Sequence, residues 1–140
     1  MKEEAGGRLD VFFYGLFMDE ALLRGKGLNP LNRRLARVEN FRLAVGARAT
    51  LVRCAGSNAY GVLYTLTQAE VDALYSEDSV RAYRPETVNA RTAEGEAVNA
   101  LCFNLPAPPA PGERNPEYAS KLRELAGRLG LPDAYIASID

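Results

Sequence analysis

Histidine is absent from the 140-residue chain. The chain therefore lacks the side chain that most often serves as a general base near neutral pH. It also lacks the partner required for Ser-His and Cys-His nucleophilic pairs, and the commonest zinc ligand. Any proton transfer must rely on Asp, Glu, Tyr, Lys or Cys. The sequence predicts neither a metal nor another cofactor.

Cysteine is scarce, tryptophan is missing, and nucleotide-binding loops are not found. The two cysteines are Cys54 and Cys102, and without a secretion signal we expect both to be reduced. Each lies in a strand-like segment, which favours a place in the core. No Gly-x-Gly-x-x-Gly or Gly-Lys-Ser/Thr sequence is present, so the sequence does not predict a loop that binds nucleotide phosphates.

Neither sign of charge is in marked excess, with 17 basic and 18 acidic residues. Nucleic-acid-binding proteins usually carry a basic excess that neutralises phosphates, so we expect no nucleic-acid partner. The cluster Arg33, Arg34 and Arg37 is interpreted as a solvated edge. No signal peptide and no run of about 20 apolar residues is found, which predicts a cytoplasmic protein without a membrane partner.

The length fits a single domain over residues 1–140. Residues 1–9 are charged and glycine-containing, and we expect a loose N-terminus there. Residues 105–114 form a proline-rich connector, with four prolines between Leu105 and Gly112. The tail beyond it is too short for a second domain, so we expect a helical tail docked on the body.

Apolar alternation and turn residues predict a mixed α and β content. Strands are expected at residues 11–14, within 35–54, and at 60–66, 87–91 and 97–104, with a loop at 55–58 and a hairpin turn at 93–96. Helices are expected after Asp19, after the capping box Thr67-Gln68-Ala69-Glu70, from Asn115-Pro116 to Gly130, and after Pro132.

Two short segments could carry chemistry. Tyr14-Gly15 follows a buried strand and precedes a helix, where backbone N–H groups can bind a carboxylate or phosphate. Glu77 and Asp78 follow a predicted helix, where the helix dipole disfavours a charged carboxylate and so suits a group that exchanges a proton. The alternatives are an ordinary strand-ending glycine and two solvated loop acids.

Three tyrosines, Tyr83, Tyr118 and Tyr135, fall at the edges of predicted elements. Tyrosine combines an apolar ring with a polar tip, which suits the wall of a pocket for a polar ligand. Half-buried packing is the alternative for each of them.

Taken together, these segments resemble the γ-glutamylcyclotransferase-like family over residues 11–139. The resemblance rests on the order and spacing of Val11-Phe12-Phe13-Tyr14-Gly15-Leu16-Phe17-Met18, Tyr60-Gly61-Val62-Leu63-Tyr64, Leu74-Tyr75-Ser76-Glu77 with Tyr83-Arg84-Pro85, and Asn115-Pro116-Glu117-Tyr118 with Gly130-Leu131-Pro132-Asp133-Ala134-Tyr135. It implies an α+β fold, a small mixed β-barrel, closed or nearly closed, flanked by short helices.

The resemblance also implies an activity and a site. A γ-glutamyl cyclotransferase releases 5-oxoproline and an amine or amino acid from a small γ-glutamyl compound. Glu77 would be its general acid/base and catalytic residue, and no cofactor is needed. The substrate-binding residues would be Tyr14, Gly15, Leu16, Phe17, Tyr83, Tyr118 and Tyr135.

Two departures from the family pattern leave alternatives open. Leu16 stands where the family often has Ser or Thr, and Asp78 stands where it usually has Gly. A non-catalytic small-ligand-binding module of the same fold is the main alternative. An interaction protein that uses the connector and tail is another, and the aromatic and proline-rich edges also allow a homodimer.

Overall fold

A computed structural model describes residues 8–140 as five strands, four α-helices and one 3₁₀ turn. The strands are β1 (Arg8–Phe13), β2 (Leu31–Val45), β3 (Ala49–Thr67), β4 (Arg84–Thr92) and β5 (Ala97–Asn104). The helices are α1 (Glu20–Gly25), α2 (Gln68–Leu74), α3 (Pro116–Leu129) and α4 (Asp133–Ser138), and the 3₁₀ turn is Leu16–Met18.

The five strands form a closed barrel in the order β1-β3-β2-β4-β5. Four of the pairings are antiparallel, and β1 closes the barrel by a parallel pairing with β5 at Val11 and Leu101. The predicted α+β class and small mixed barrel are thereby confirmed.

The strands bury both of their faces because side chains alternate along each strand. One cluster draws on all five strands and fills the barrel; its largest members include Phe12, Phe41 and Leu63. The other lies between the outside of the barrel and the helices, where Phe13 and Tyr64 pack with the buried side of α3. Successive residues of β1 thus face the barrel interior and the helical layer.

The loop predicted at residues 55–58 is wrong, because this segment lies inside the 19-residue strand β3. The register with β2 shifts between Glu39 and Phe41, Gly56 has φ +84°, and Asn40 has φ +67°. The Gly56 N–H donates to Asn40 Oδ1 at 3.0 Å. Small polar residues here mark a bulge that bends paired strands rather than a strand end.

The N-terminal expectation is corrected for its last two residues, since Arg8 and Leu9 begin β1. Residues 1–7 lie outside the described part of the chain. Both cysteines are free, and Cys102 is buried as predicted. The core position predicted for Cys54 is wrong, because this side chain is only half-buried on β3 near the bulge.

The C-terminal helices pack on the outside of the barrel. Asn115 caps α3 by accepting a hydrogen bond from the Tyr118 N–H, and Gly130 ends the helix with φ +86°. Leu122 and Leu125 of α3 are buried in the outer cluster. No helix within residues 8–140 is long and apolar enough to cross a bilayer.

Candidate active site

The loop after β1 is fixed by contacts with β5 and with its own backbone. The hydroxyl of Tyr14 donates to the Phe103 carbonyl of β5 at 2.6 Å, and the Met18 N–H donates to the Gly15 carbonyl at 3.0 Å. Asp19 then caps α1 by accepting from the Ala21 N–H. The loop over residues 14–17 is therefore held against the end of the barrel.

Gly15 allows the side chain of Tyr118 to approach this loop. A Cβ at position 15 would lie 2.5 Å from the Tyr118 hydroxyl oxygen. That oxygen accepts a hydrogen bond from the Leu16 N–H at 3.3 Å. The missing side chain of Gly15 thus lets α3 reach the loop backbone.

The turns between α2 and β4 carry Glu77. The Val80 N–H donates to the Glu77 carbonyl at 3.0 Å, and the Tyr83 hydroxyl donates to the Ala49 carbonyl of β3. At the other end, the ring of Tyr75 stacks on Phe103 with 3.9 Å between centroids. The segment is thus anchored to the barrel on both sides of Glu77.

A cleft of about 370 Å³ opens between the residue 14–17 loop, the Glu77 segment and α3. It contains seven of the eight residues that the sequence predicts for the site: Tyr14, Gly15, Leu16, Phe17, Glu77, Tyr83 and Tyr118. Aromatic and aliphatic side chains make up most of the remaining wall. The volume is within the usual range for a small-molecule site.

Tyr135 is not brought to this cleft. Its ring packs on Tyr60 with 5.0 Å between centroids, and it lines a second groove beside the proline-rich connector. The position of α4 explains this, because that helix follows α3 around to the connector side of the barrel.

The two neighbouring acids have different environments. The Glu77 side chain is 39% exposed, lines the cleft and contacts Lys26. The Asp78 side chain is 91% exposed and pairs with Arg81 at 3.4 Å. The description as a solvated loop acid therefore fits Asp78, while Glu77 is the carboxylate of the cleft.

Two cations of the cleft are not identified by the sequence reasoning. The Lys26 ammonium lies 2.8 Å from Glu77 Oε1 and 3.1 Å from Oε2. Arg48, in the turn between β2 and β3, donates to the Ser79 carbonyl at 3.4 Å. Neither residue belongs to a motif, and their neighbours in space are distant along the chain.

The phenol groups of the cleft are held in the neutral form. Burial raises the pKa of Tyr83 to about 12, with a smaller effect from Tyr118. Burial also raises the pKa of Tyr118 and of Tyr75 above the usual value near 10. The Tyr83 hydrogen already binds the Ala49 carbonyl, whereas the neutral phenol of Tyr118 can donate a hydrogen bond to a ligand at physiological pH.

Among residues 8–140, no three His, Cys, Asp or Glu side chains come together in a group that could hold a metal ion. The chemistry that the cleft itself offers is proton exchange on a carboxylate, together with neutral and charged hydrogen-bond donors.

A closed five-stranded barrel of this topology is the fold of the γ-glutamylcyclotransferase-like proteins. The sequence pattern of the AIG2-like family matches residues 58–139, more than half of the chain. The chain therefore belongs to the AIG2-like family, and the resemblance stated from the sequence is confirmed.

Solved structures share the fold. A γ-glutamyl cyclotransferase is 18% identical, with a TM-score of 0.78 over 96% of this chain and 89% of its own. An uncharacterized protein from Homo sapiens is 19% identical, with a TM-score of 0.75 over 95% of this chain and 88% of its own.

YkqA from Bacillus subtilis is 23% identical, with a TM-score of 0.75 over 96% of this chain but only 53% of its own. At these identities the likeness shows a common fold. No curated protein matches the chain by sequence.

Proposed function

We propose that the chain is a γ-glutamyl cyclotransferase that converts a small γ-glutamyl compound into 5-oxoproline and a free amine or amino acid. The observation that carries this proposal is that Glu77 and the loop over residues 14–17 line one cleft. The structural likeness to a γ-glutamyl cyclotransferase is consistent with it.

The reaction suits a chain without histidine. The substrate's own α-nitrogen attacks its γ-carbonyl carbon, a new C–N bond closes the five-membered ring, and the original amide C–N bond breaks. Because the nucleophile belongs to the substrate, binding in a folded conformation supplies much of the rate enhancement. Glu77 takes a proton from the attacking nitrogen and returns it to the leaving nitrogen.

Tyr118 is suited to the developing negative charge on the γ-carbonyl oxygen. Its hydroxyl oxygen accepts from the Leu16 N–H, and its own hydrogen has no acceptor among the residues from 8 to 140. A neutral phenol already oriented by the loop costs little reorganisation when charge develops on the substrate. We therefore assign Tyr118 as the donor to that oxygen.

Lys26 orients the proposed general base. Its ammonium contacts both oxygens of Glu77, whereas the attacking nitrogen needs access to only one of them. In the substrate complex the substrate nitrogen would take one oxygen, and Lys26 would keep the other.

The test is 5-oxoproline release from γ-glutamyl amines and γ-glutamyl amino acids by three proteins: the wild type, Glu77→Gln and Asp78→Asn. We expect release by the wild type, loss of at least about 100-fold in Glu77→Gln, and near-normal release by Asp78→Asn. Asp78 is the matched control because it is the adjacent carboxylate and faces solvent.

The outcomes separate the two carboxylates and the two functions. Loss in Asp78→Asn with retention in Glu77→Gln would reject Glu77 as the base. No release by the wild type, combined with saturable binding of a γ-glutamyl compound, would favour the binding module. That alternative is supported by Leu16, which offers no hydroxyl, and by the ion pair that engages Glu77.

A further inference from the structure

Arg48 is the charged residue of the cleft that the proposed reaction does not use. We propose that Arg48 determines specificity by binding a carboxylate on the leaving group, so that the preferred substrates are γ-glutamyl amino acids rather than γ-glutamyl amines. This inference rests on the proposed function and assigns a role to one further residue.

The position of Arg48 is fixed by the barrel. It precedes Ala49, whose carbonyl accepts the Tyr83 hydroxyl, and its guanidinium donates to the carbonyl of Ser79, two residues beyond Glu77. The Arg48 guanidinium therefore lies beside the segment that carries the proposed general base. Its charge also opposes the burial that raises the pKa of Tyr83, which is consistent with a guanidinium close to that phenol.

The charge of Arg48 is uncompensated in the described structure. Lys26 is engaged with Glu77, whereas Arg48 forms no ion pair with any carboxylate of residues 8–140. Its side chain is exposed and lines the cleft. An exposed guanidinium with a single long contact retains donors for a carboxylate, which it can bind through two parallel hydrogen bonds.

The charges of the cleft and of a γ-glutamyl amino acid are complementary. The cleft has two cations, Lys26 and Arg48, and one carboxylate, Glu77. A γ-glutamyl amino acid has two carboxylates and one ammonium group. A γ-glutamyl amine lacks the second carboxylate and would leave one cation without a partner.

Geometry within the substrate decides which cation meets which carboxylate. The α-carboxylate is attached to the same carbon as the nitrogen that Glu77 must deprotonate. It therefore falls beside Lys26, the cation in contact with Glu77. Arg48 is left for the carboxylate of the departing amino acid.

A matched substrate pair tests this directly. γ-Glutamyl-alanine and γ-glutamyl-ethylamine have leaving groups that differ only by a carboxylate. We expect the wild type to prefer γ-glutamyl-alanine in kcat/KM. Arg48→Gln should lower that value about 10- to 100-fold, the effect of losing a charged hydrogen-bond partner, and leave the ethylamine value within about twofold. For γ-glutamyl-alanine, the kcat/KM of Arg48→Lys should fall between those of the wild type and Arg48→Gln.

Arg42→Gln is the control, because Arg42 is an exposed arginine of β2 that lines the second groove instead. This variant should leave kcat/KM unchanged for both substrates. An equal loss on both substrates in Arg48→Gln would place Arg48 at the γ-glutamyl part and overturn the inference, and so would no loss on either. Melting temperatures of all variants identify any that fail to fold.

Inactivity of the wild type on both compounds would reject the proposed reaction without deciding the role of Arg48. Equilibrium binding by calorimetry then decides it. Tighter binding of γ-glutamyl-alanine than of γ-glutamyl-ethylamine, lost in Arg48→Gln, would support the carboxylate site. Equal affinities in the wild type would reject it.

Discussion

The ammonium group of Lys26 contacts both carboxylate oxygens of Glu77, at 2.8 and 3.1 Å. The pair joins the residue that follows α1 to the turns that follow α2. It fixes the direction of a carboxylate that would otherwise lie on an irregular segment at the rim of the cleft. The pair is therefore more important for geometry than for folding energy.

Replacement of Lys26 by Met should separate these two effects. We expect the free energy of unfolding to change by less than about 1 kcal/mol, because partly exposed ion pairs contribute little. The value of kcat/KM should fall about 10- to 100-fold, because a misplaced catalytic group costs this much. Urea unfolding and 5-oxoproline release measure the two quantities.

Lys26→Arg and Lys121→Met are the comparisons for this variant. Arginine keeps the charge and should restore part of the activity, while Lys121 is an exposed residue of α3 whose loss should change nothing. Full activity in Lys26→Met would show that Glu77 needs no orienting partner.

Gly15 and Tyr118 should be coupled energetically. Gly15→Ala places a Cβ 2.5 Å from the Tyr118 hydroxyl oxygen, and such overpacking costs about 1–3 kcal/mol. In a Tyr118→Phe background the nearest ring atom is 3.9 Å from that Cβ, so the same substitution should cost clearly less.

Urea unfolding of the four proteins in this double-mutant cycle gives the coupling free energy. An equal cost of Gly15→Ala in both backgrounds would mean that the hydroxyl does not limit space at this loop. Tyr118→Phe should also lower kcat/KM by more, expressed as a free energy, than it lowers the free energy of unfolding. The reason is that the phenol hydrogen is assigned to the substrate.

Local patterns were sufficient for much of the fold and for naming most residues of the candidate site that the fold brings together. Period-two alternation identified the strands, and caps at Thr67 and Asn115 identified two helix starts. The short segments around Gly15 and Glu77 carry the family resemblance, and the fold brings them to one cleft. These signals were readable because each depends on residues only a few positions apart.

The remaining features depend on distant contacts. Lys26 and Glu77 are 51 positions apart, and no sequence signal links them. The segment at 55–58 has the composition of a loop, yet pairing across the bulge at Asn40 keeps it in β3. Tyr135 has the edge position expected of a pocket residue, but the path of α4 takes it to the second groove.

Gly61 should be the glycine least tolerant of a side chain among those of the barrel. A Cβ there would lie 2.1 Å from the Phe13 carbonyl oxygen, a backbone atom of the neighbouring strand. Relief would require β1 and β3 to separate where β1 leads into the loop. We expect Gly61→Ala to lower the free energy of unfolding by about 3 kcal/mol or more, measured by urea denaturation.

Gly127→Ala is the matched control, because Gly127 lies inside α3 and an added Cβ meets nothing within 4 Å. Alanine is the better helix former, so this variant should gain about 0.5–1 kcal/mol. A mild effect of Gly61→Ala would mean that the two strands can move apart cheaply.

Tyr64 should make stability fall at alkaline pH. Its hydroxyl donates to the Met18 carbonyl at 2.9 Å, and burial raises its pKa from 10 to about 12. Between these values the unfolded chain loses the phenol proton while the folded chain keeps it, so unfolding becomes easier as pH rises. The contribution is complete below pH 10 and is lost towards pH 12.

Tyr64→Phe tests this by removing only the hydroxyl. At pH 8 the variant should be less stable by about 1–3 kcal/mol, because the Met18 carbonyl loses its donor in a buried site. Phenylalanine does not ionise, so this deficit should shrink steadily between pH 10 and 12. Urea unfolding at pH 8, 10 and 11 measures it, and a deficit that stays constant with pH would show that the Tyr64 phenol ionises equally in both states.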